Sequence, residues 1–332
     1  MDLLSWRRRA HLCFSVAAVG ILAACGGDDD VAATPPAADP LVRTTAFGQV
    51  NGLADTASAT YAWLGVPYAQ PPVGALRWMP PKDPQAWATP RGAQAFGRSC
   101  AQPGSFYAPP KADDGFSRDI ANTFGQVMGA EDCLTLNIWR PASGAAQLPV
   151  IVWFHGGANT VGYTSNPGYD GANFARTNNA IVVTVNYRLG VFGWLRHPAL
   201  RVEGDALANS GNFGTLDQIK ALEFVHNNIA AFGGDPANVT LMGQSAGAVD
   251  IYSLMVSPLT KDKGYFHKAV AMSGGLRLST TARADTYAQS VLSKVLVLGN
   301  KATAETVDAV IAGMSPAQMR RRCGKRRRKC SC

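Results

Sequence analysis

Asn238–Val256, NVTLMGQSAGAVDIYSLMV, passes from a strand pattern to a helix pattern through a serine flanked by glycines. Val239-Thr-Leu-Met242 is of strand type, Ser245 stands at the centre of Gly243-Gln-Ser-Ala-Gly247, and an apolar helical stretch follows. A strand that turns into a helix through Gly-x-Ser-x-Gly sets the serine on a strained turn at the top of a sheet. The glycines two residues to either side let neighbouring elements approach closely. The bare pattern is common by chance, so its weight comes from the strand before it and the helix after it. Ser245 is the candidate nucleophile.

Working outward, LPVIVWFHGG (Leu148–Gly157) and NAIVVTVNYRLG (Asn179–Gly190) are apolar runs of the kind that fill strands buried on both faces. NFGTLDQIKALEFVHNNIAAFG (Asn212–Gly233) places Leu216, Ile219, Leu222, Phe224, Val225 and Ile229 at helical spacing and stops at glycine. HKAVAMSG (His267–Gly274) is a further strand. Strand, helix, strand at this spacing predicts an α/β fold with a mostly parallel central sheet and right-handed crossovers. Thr286–Ala312 reads as two helices, and nothing after it has the pattern of core.

His155-Gly-Gly-Ala158 closes a buried strand with a glycine-rich turn that exposes backbone N–H groups. Taken alone it is a turn. Beside the elbow it becomes an oxyanion hole, with Gly157, Ala158 and Ala246 as donors.

These residues resemble the type-B carboxylesterase and cholinesterase-like family of α/β-hydrolases, most closely its bacterial para-nitrobenzyl-esterase-like members. The resemblance is carried in consistent order by EDCLTLNIW (Glu131–Trp139), HGGA (His155–Ala158), YDG (Tyr169–Gly171), VNYRLGVFG (Val185–Gly193), GNFGTLDQ (Gly211–Gln218), AAFGGDPANVTLMGQSAG (Ala230–Gly247) and FHKAVAMSG (Phe266–Gly274). It implies an α/β-hydrolase fold and ester hydrolysis through an acyl-enzyme on Ser245, with a small-molecule ester as partner and no metal or organic cofactor. It also implies a Cys100–Cys133 disulfide and a structural Arg188–Asp217 salt bridge. Gln244 stands where the family often has glutamate. Asn159 stands where an aromatic is usual, beside the expected acyl pocket, which it would make more polar.

The chain has 332 residues, 47% of them hydrophobic and 9% aromatic, an ordinary globular composition that excludes disorder throughout. Its formal charge of +8 resides in Arg320, Arg321, Arg322, Lys325, Arg326, Arg327, Arg328 and Lys329. The remainder is neutral, so no nucleic-acid partner is expected of the domain. At the other end, Arg7-Arg-Arg9 and the apolar run Leu12–Ala24 have the form of an export signal. Leu22-Ala-Ala-Cys25 resembles a lipobox, which implies cleavage after residue 24 and a membrane anchor through lipidated Cys25, with plain secretory cleavage as the alternative. The location expected is a bacterial membrane, facing the periplasm or cell surface. Residues 25–43 read as a flexible tether. Seven cysteines are present, and only Cys100 and Cys133 fall inside the domain, where an exported context favours their pairing.

The proton acceptor is the difficulty. In this fold the triad runs Ser, then Asp or Glu, then His. After Ser245 come Asp250, Asp262, Asp285, Glu305 and Asp308, but a single histidine, His267. His267 precedes a strand parallel to the one ending at Ser245, so a strand's length, roughly 17–20 Å, is expected to separate them. His155 begins the oxyanion turn and reads as structural. His197 falls in a loop and His226 in a helix. The family's acid and histidine lie farther beyond the serine than the 87 residues left here. The expectation is a partial domain over residues 44–319, C-terminally truncated, with part of its sheet edge uncovered and weak or no activity. Residues 320–332 are read either as out-of-frame translation or as a genuine basic tail attracted to anionic lipid or nucleic acid. A non-catalytic cholinesterase-like binding module and a nonfunctional gene fragment are the competing readings.

Overall fold

The computed structural model describes residues 39–109 and 120–323. The export segment, Cys25 and the charge run from 324 onward lie outside the described residues.

The chain begins with an antiparallel pair, β1 (Val42–Thr45) and β2 (Gly48–Asn51), followed by β3 (Leu53–Asp55) and β4 (Thr60–Pro67). β1 thus starts within the stretch read as tether, because Val42 and Arg43 pair with Asn51 and Val50. β5 (Arg91–Gly92) adds parallel to β2, and β6 (Gln102–Pro103) pairs with β7 (Val127–Met128). The remaining strands are β8 (Thr135–Pro141), β9 (Leu148–Phe154), β10 (Ile181–Val185), β11 (Gly234–Gln244) and β12 (Lys268–Met272).

The central sheet has seven strands in the order β12-β11-β9-β10-β8-β4-β3. It is parallel through β12, β11, β9 and β10 and antiparallel through β10, β8, β4 and β3. The parallel half carries Ser245 and the glycine turn, as the strand, helix, strand spacing predicts.

Alternation explains how the apolar runs work. All five residues of β10 are buried. Ile181, Val183 and Val185 join Val150, Val152 and Leu241 on one face, while Val182 meets Trp139, Ala172 and Ala175 on the other. The first face is covered by α3 (Phe213–Asn228) and α4 (Ala246–Val256), which contribute Ala221, Leu222, Phe224, Val225, Ile251 and Leu254. The second is covered by α1 (Ala172–Asn178). A one-turn helix, α2 (Gly190–Gly193), follows β10.

A satellite core lies beside this sandwich. Here α5 (Thr281–Leu298), α6 (Val307–Ala312) and α7 (Pro316–Cys323) pack with Trp78, Leu195, Leu200, Phe213 and Leu216. The expectation that nothing beyond Ala312 belongs to core is corrected. Met319 is fully buried in this cluster, and α7 continues through the compositional break at Arg320. Arg320 is itself buried: its Nη2 donates to the Leu200 carbonyl at 3.0 Å, and its own carbonyl accepts from Arg77 Nη1. Basic composition conceals this contact, because one side of the link is backbone and needs no particular side chain.

β12 is the edge of the sheet, and its residues are exposed or half-buried. Val270 on the strand and Leu276 and Leu278 just beyond it are exposed, so this edge is uncovered as expected.

Candidate active site

Ser245 occupies the junction of β11 and α4 with φ 54° and ψ −117°, outside the regions a side chain normally tolerates. Close packing holds it there. A Cβ on Gly247 would stand 2.1 Å from the Phe154 carbonyl oxygen, and one on Gly243 would stand 2.8 Å from Gly247 backbone atoms. Larger residues at either place would push the turn off β9. The Ser245 N–H donates to the Met272 carbonyl at 2.8 Å, so the end of β12 supports the elbow from the other side.

The glycine turn abuts this serine. A Cβ on Gly156 would lie 3.1 Å from Ser245 Cβ. Gly157 has φ 109°, and Ala158 and Asn159 both have φ 55°, so three consecutive residues adopt left-handed conformations. The Gly157 carbonyl accepts from Thr160 and Val161 at 2.9 and 3.0 Å, which closes the turn and leaves the Gly157 and Ala158 amides outside its hydrogen bonding. The Ala246 N–H is at the first position of α4, where no helical acceptor precedes it. The structure therefore brings together Ser245, Gly157, Ala158 and Ala246 at the C-terminal ends of β9 and β11, the set predicted from the sequence.

His155 is buried at 1% exposure, stacked 4.6 Å from Tyr187. Its Nδ1–H donates to the Gly156 carbonyl at 2.8 Å, and Nε2 has no partner among the described residues. Burial lowers its pKa to about 4, so it is neutral and built into the turn.

His267 lies where the sequence placed it. β12 registers on β11 with Lys268 opposite Thr240 and Met272 opposite Gln244. His267 N donates to the Val239 carbonyl and His267 Nδ1 accepts from Val239 N, at the far end of the strand from Ser245. Six residues of strand amount to about 20 Å, far beyond hydrogen-bond reach. His197, expected in a loop, has a structural role there. It is buried at 6% exposure, pairs through Nε2 with Gln289 Oε1 at 2.5 Å and accepts from Ala199 N, capping a short turn. His226 sits in α3 against the Tyr265 ring.

Cys100 and Cys133 are joined at 2.07 Å. Arg188 grips Asp217 with Nε and Nη2 at 2.8 and 2.7 Å, and its N–H adds a third bond at 3.0 Å. Burial still raises the Asp217 carboxyl above its ordinary range, against the pull of the guanidinium.

The Asn159 amide is engaged by buried partners: Nδ2 donates to Asp250 Oδ1 at 2.8 Å, and Oδ1 lies 3.3 Å from the Tyr187 hydroxyl, which donates to the His155 carbonyl at 2.6 Å. Asp250, one turn into α4, also accepts from Gln218 Nε2 at 2.7 Å. In the sequence Asp250 is only one of five carboxylates that follow Ser245. The available signal was a lone carboxylate in an otherwise apolar helix, which must find donors when buried.

Residues 38–311 match the model of the carboxylesterase family. The chain is 41% identical to a para-nitrobenzyl esterase of Bacillus subtilis, over 73% of its own length and 45% of that protein's. It is 42% identical to a fumonisin B1 esterase of Sphingopyxis macrogoltabida, over 72% of its own length and 41% of the relative's. It therefore spans less than half the length of these relatives. Among solved structures, a thermophilic PNB esterase superposes with a TM-score of 0.67 at 35% identity, covering 85% of this chain and 53% of the other. A carboxylesterase of Geobacillus stearothermophilus gives 0.64 at 34% identity, covering 85% and 54%.

Proposed function

The chain belongs to the carboxylesterase family, and from that premise we propose that it forms the nucleophile and oxyanion half of a carboxylic ester hydrolase. Ser245 Oγ attacks the carbonyl carbon of a small-molecule ester. The carbonyl oxygen, now negative, is held by the N–H groups of Gly157, Ala158 and Ala246, the alcohol departs, and water releases the acid from the acyl-serine. No metal or organic cofactor enters these steps. The observation that carries this reading is the left-handed Ser245 wedged against Gly156, which puts the nucleophile and the oxyanion donors side by side.

Attack also requires a base for the Ser245 proton. Among the described residues the histidine nearest this chemistry in the chain fold is His155, and its protonated nitrogen is committed to Gly156. In a comparable triad, loss of the histidine costs on the order of 10⁶ in kcat. The proposed activity of these 332 residues is therefore weak acylation rather than efficient turnover. An activated aryl ester is the substrate to use in the assay: turnover at rates typical of esterases, abolished in Ser245→Ala, would refute the claim of weak activity.

We propose further that the protein is exported and anchored through a lipid on Cys25. The support is the Arg-rich start, the apolar run and Leu22-Ala-Ala-Cys25. Metabolic labelling with a fatty-acid analogue should mark wild type and leave Cys25→Ala unmarked; equal labelling would refute the anchor.

A further inference from the structure

Three elements meet under the oxyanion turn, and one buried carboxylate joins them. Asp250 is 3% exposed and belongs to α4, the helix that begins at the nucleophile. Its Oδ1 holds Asn159 Nδ2 at 2.8 Å, and Asn159 follows the oxyanion donor Ala158 directly. Its Oδ2 holds Gln218 Nε2 of α3 at 2.7 Å. Asn159 is fixed from its other side too. Tyr187, fully buried, donates to the His155 carbonyl at 2.6 Å and lies 3.3 Å from Asn159 Oδ1. The Asn159 carbonyl accepts from Gly190 N at 2.6 Å. A left-handed turn of three residues stores strain and persists only when its surroundings overdetermine it. Here the side chain of Asn159 is the handle by which the surroundings hold it.

We infer that Asp250 is a positioning residue of the esterase site: through Asn159 it ties the oxyanion turn to the nucleophile helix, and it does so as the carboxylate. This rests on the reading of Ser245 as the nucleophile. The ionised form has two acceptor oxygens for two amide donors, and that match requires both oxygens free of hydrogen. Protonation turns one of them into a donor facing an N–H. The Gln218 amide offers the escape, because its Oε1 is buried without a partner among the described residues and would accept that proton if the amide rotated. Burial, with only neutral amides in contact, raises the Asp250 pKa to about 6, so the exchange falls within an accessible range. Three other titratable groups face this cluster. On the turn, His155 has its pKa near 4. Beyond β10, Tyr187 is pushed well above 10. On α3, Asp217 is locked to Arg188.

The test uses the full chain with Asp250→Ala and Asp250→Asn, from pH 5 to 8. One readout is the rate at which a fluorophosphonate modifies Ser245. The other is hydrogen–deuterium exchange of the Thr160 and Val161 amides, which needs no reaction at Ser245. Asp250→Ala strands both amide donors; it should slow phosphonylation about 10–100-fold and speed exchange in the turn. Asp250→Asn, with one acceptor and one donor, reproduces the protonated carboxyl. At every pH it should behave as wild type does below pH 6, and so lose the change near pH 6 that wild type shows. Wild-type rates and exchange in Asp250→Ala, or parallel pH profiles for wild type and Asp250→Asn, would overturn the inference. If wild type is not phosphonylated at Ser245, the nucleophile reading fails by itself, and turn exchange still decides whether Asp250 holds the turn.

Discussion

Replacing Asp250 by asparagine should reshape the dependence of stability on pH, and the size of the effect follows from two buried groups. The Asp250 pKa rises from 3.8 to about 6 in the fold. A carboxyl that binds its proton more tightly when folded favours the folded state below about pH 4. It loses that advantage as pH rises through 6, and above 6 its buried charge is a full cost. At about 1.4 kcal/mol per pKa unit, that cost is about 3 kcal/mol. Between pH 4.5 and 7.5, a titration window that captures part of the shift, it changes by about 2 kcal/mol. His155 acts in the opposite sense. Its pKa falls from 6.5 to about 4, so its contribution is present above pH 6.5 and is lost as pH drops toward 4. Over the same window it removes about 2–3 kcal/mol. In wild type the two slopes oppose each other and flatten the profile. Asparagine cannot titrate, so Asp250→Asn exposes the histidine slope: relative to wild type, the variant should gain about 2 kcal/mol in going from pH 4.5 to 7.5. Urea unfolding at several pH values measures this as a divergence of midpoints at constant m-value. Profiles that stay parallel would refute the reasoning, since they would mean that Asp250 does not titrate in that interval.

Other consequences follow from the same geometry. Gly247→Ala pushes a methyl into the Phe154 carbonyl and should cost about 1–3 kcal/mol or more, with loss of Ser245 reactivity, read by thermal melting and by labelling. Arg188→Leu removes the guanidinium and leaves the buried Asp217 carboxyl with the backbone N–H of residue 188 alone; the expected loss is about 3–5 kcal/mol in chemical denaturation, and a change below about 1 kcal/mol would contradict the role given to this pair. Reducing Cys100–Cys133, which spans 33 residues, should cost about 3–4 kcal/mol, seen as a lower urea midpoint in reductant.

The parts of the site legible in the sequence are those fixed by contiguous residues and by backbone. Gly243, Ser245 and Gly247 encode the elbow because that turn excludes side chains at two positions, and the strand and helix around it are visible as patterns. The location of His267 followed from strand direction alone. The brace under the oxyanion turn was not legible. Asn159, Tyr187, Gln218 and Asp250 lie on four separate segments, and the oddity of Asn159 and Asp250 as single residues does not say that folding brings their polar atoms together. The burial of Met319 and Arg320 was hidden for a different reason: a run of cations reads as solvated, while α7 is held by one apolar side chain and by bonds to carbonyls. The antiparallel half of the sheet also escaped: β4 and β8 are as long as the parallel strands, but their direction is set by how the chain returns to the sheet and is not written in either strand.

Ser245 is proposed to be a reactive nucleophile beside its oxyanion donors, and intact-mass analysis after treatment with a fluorophosphonate decides the matter. A single adduct is expected, formed slowly, mapped to the peptide containing Ser245 and absent from Ser245→Ala. A cooperatively folded protein that takes up no adduct, or one whose adduct survives in Ser245→Ala, would contradict it.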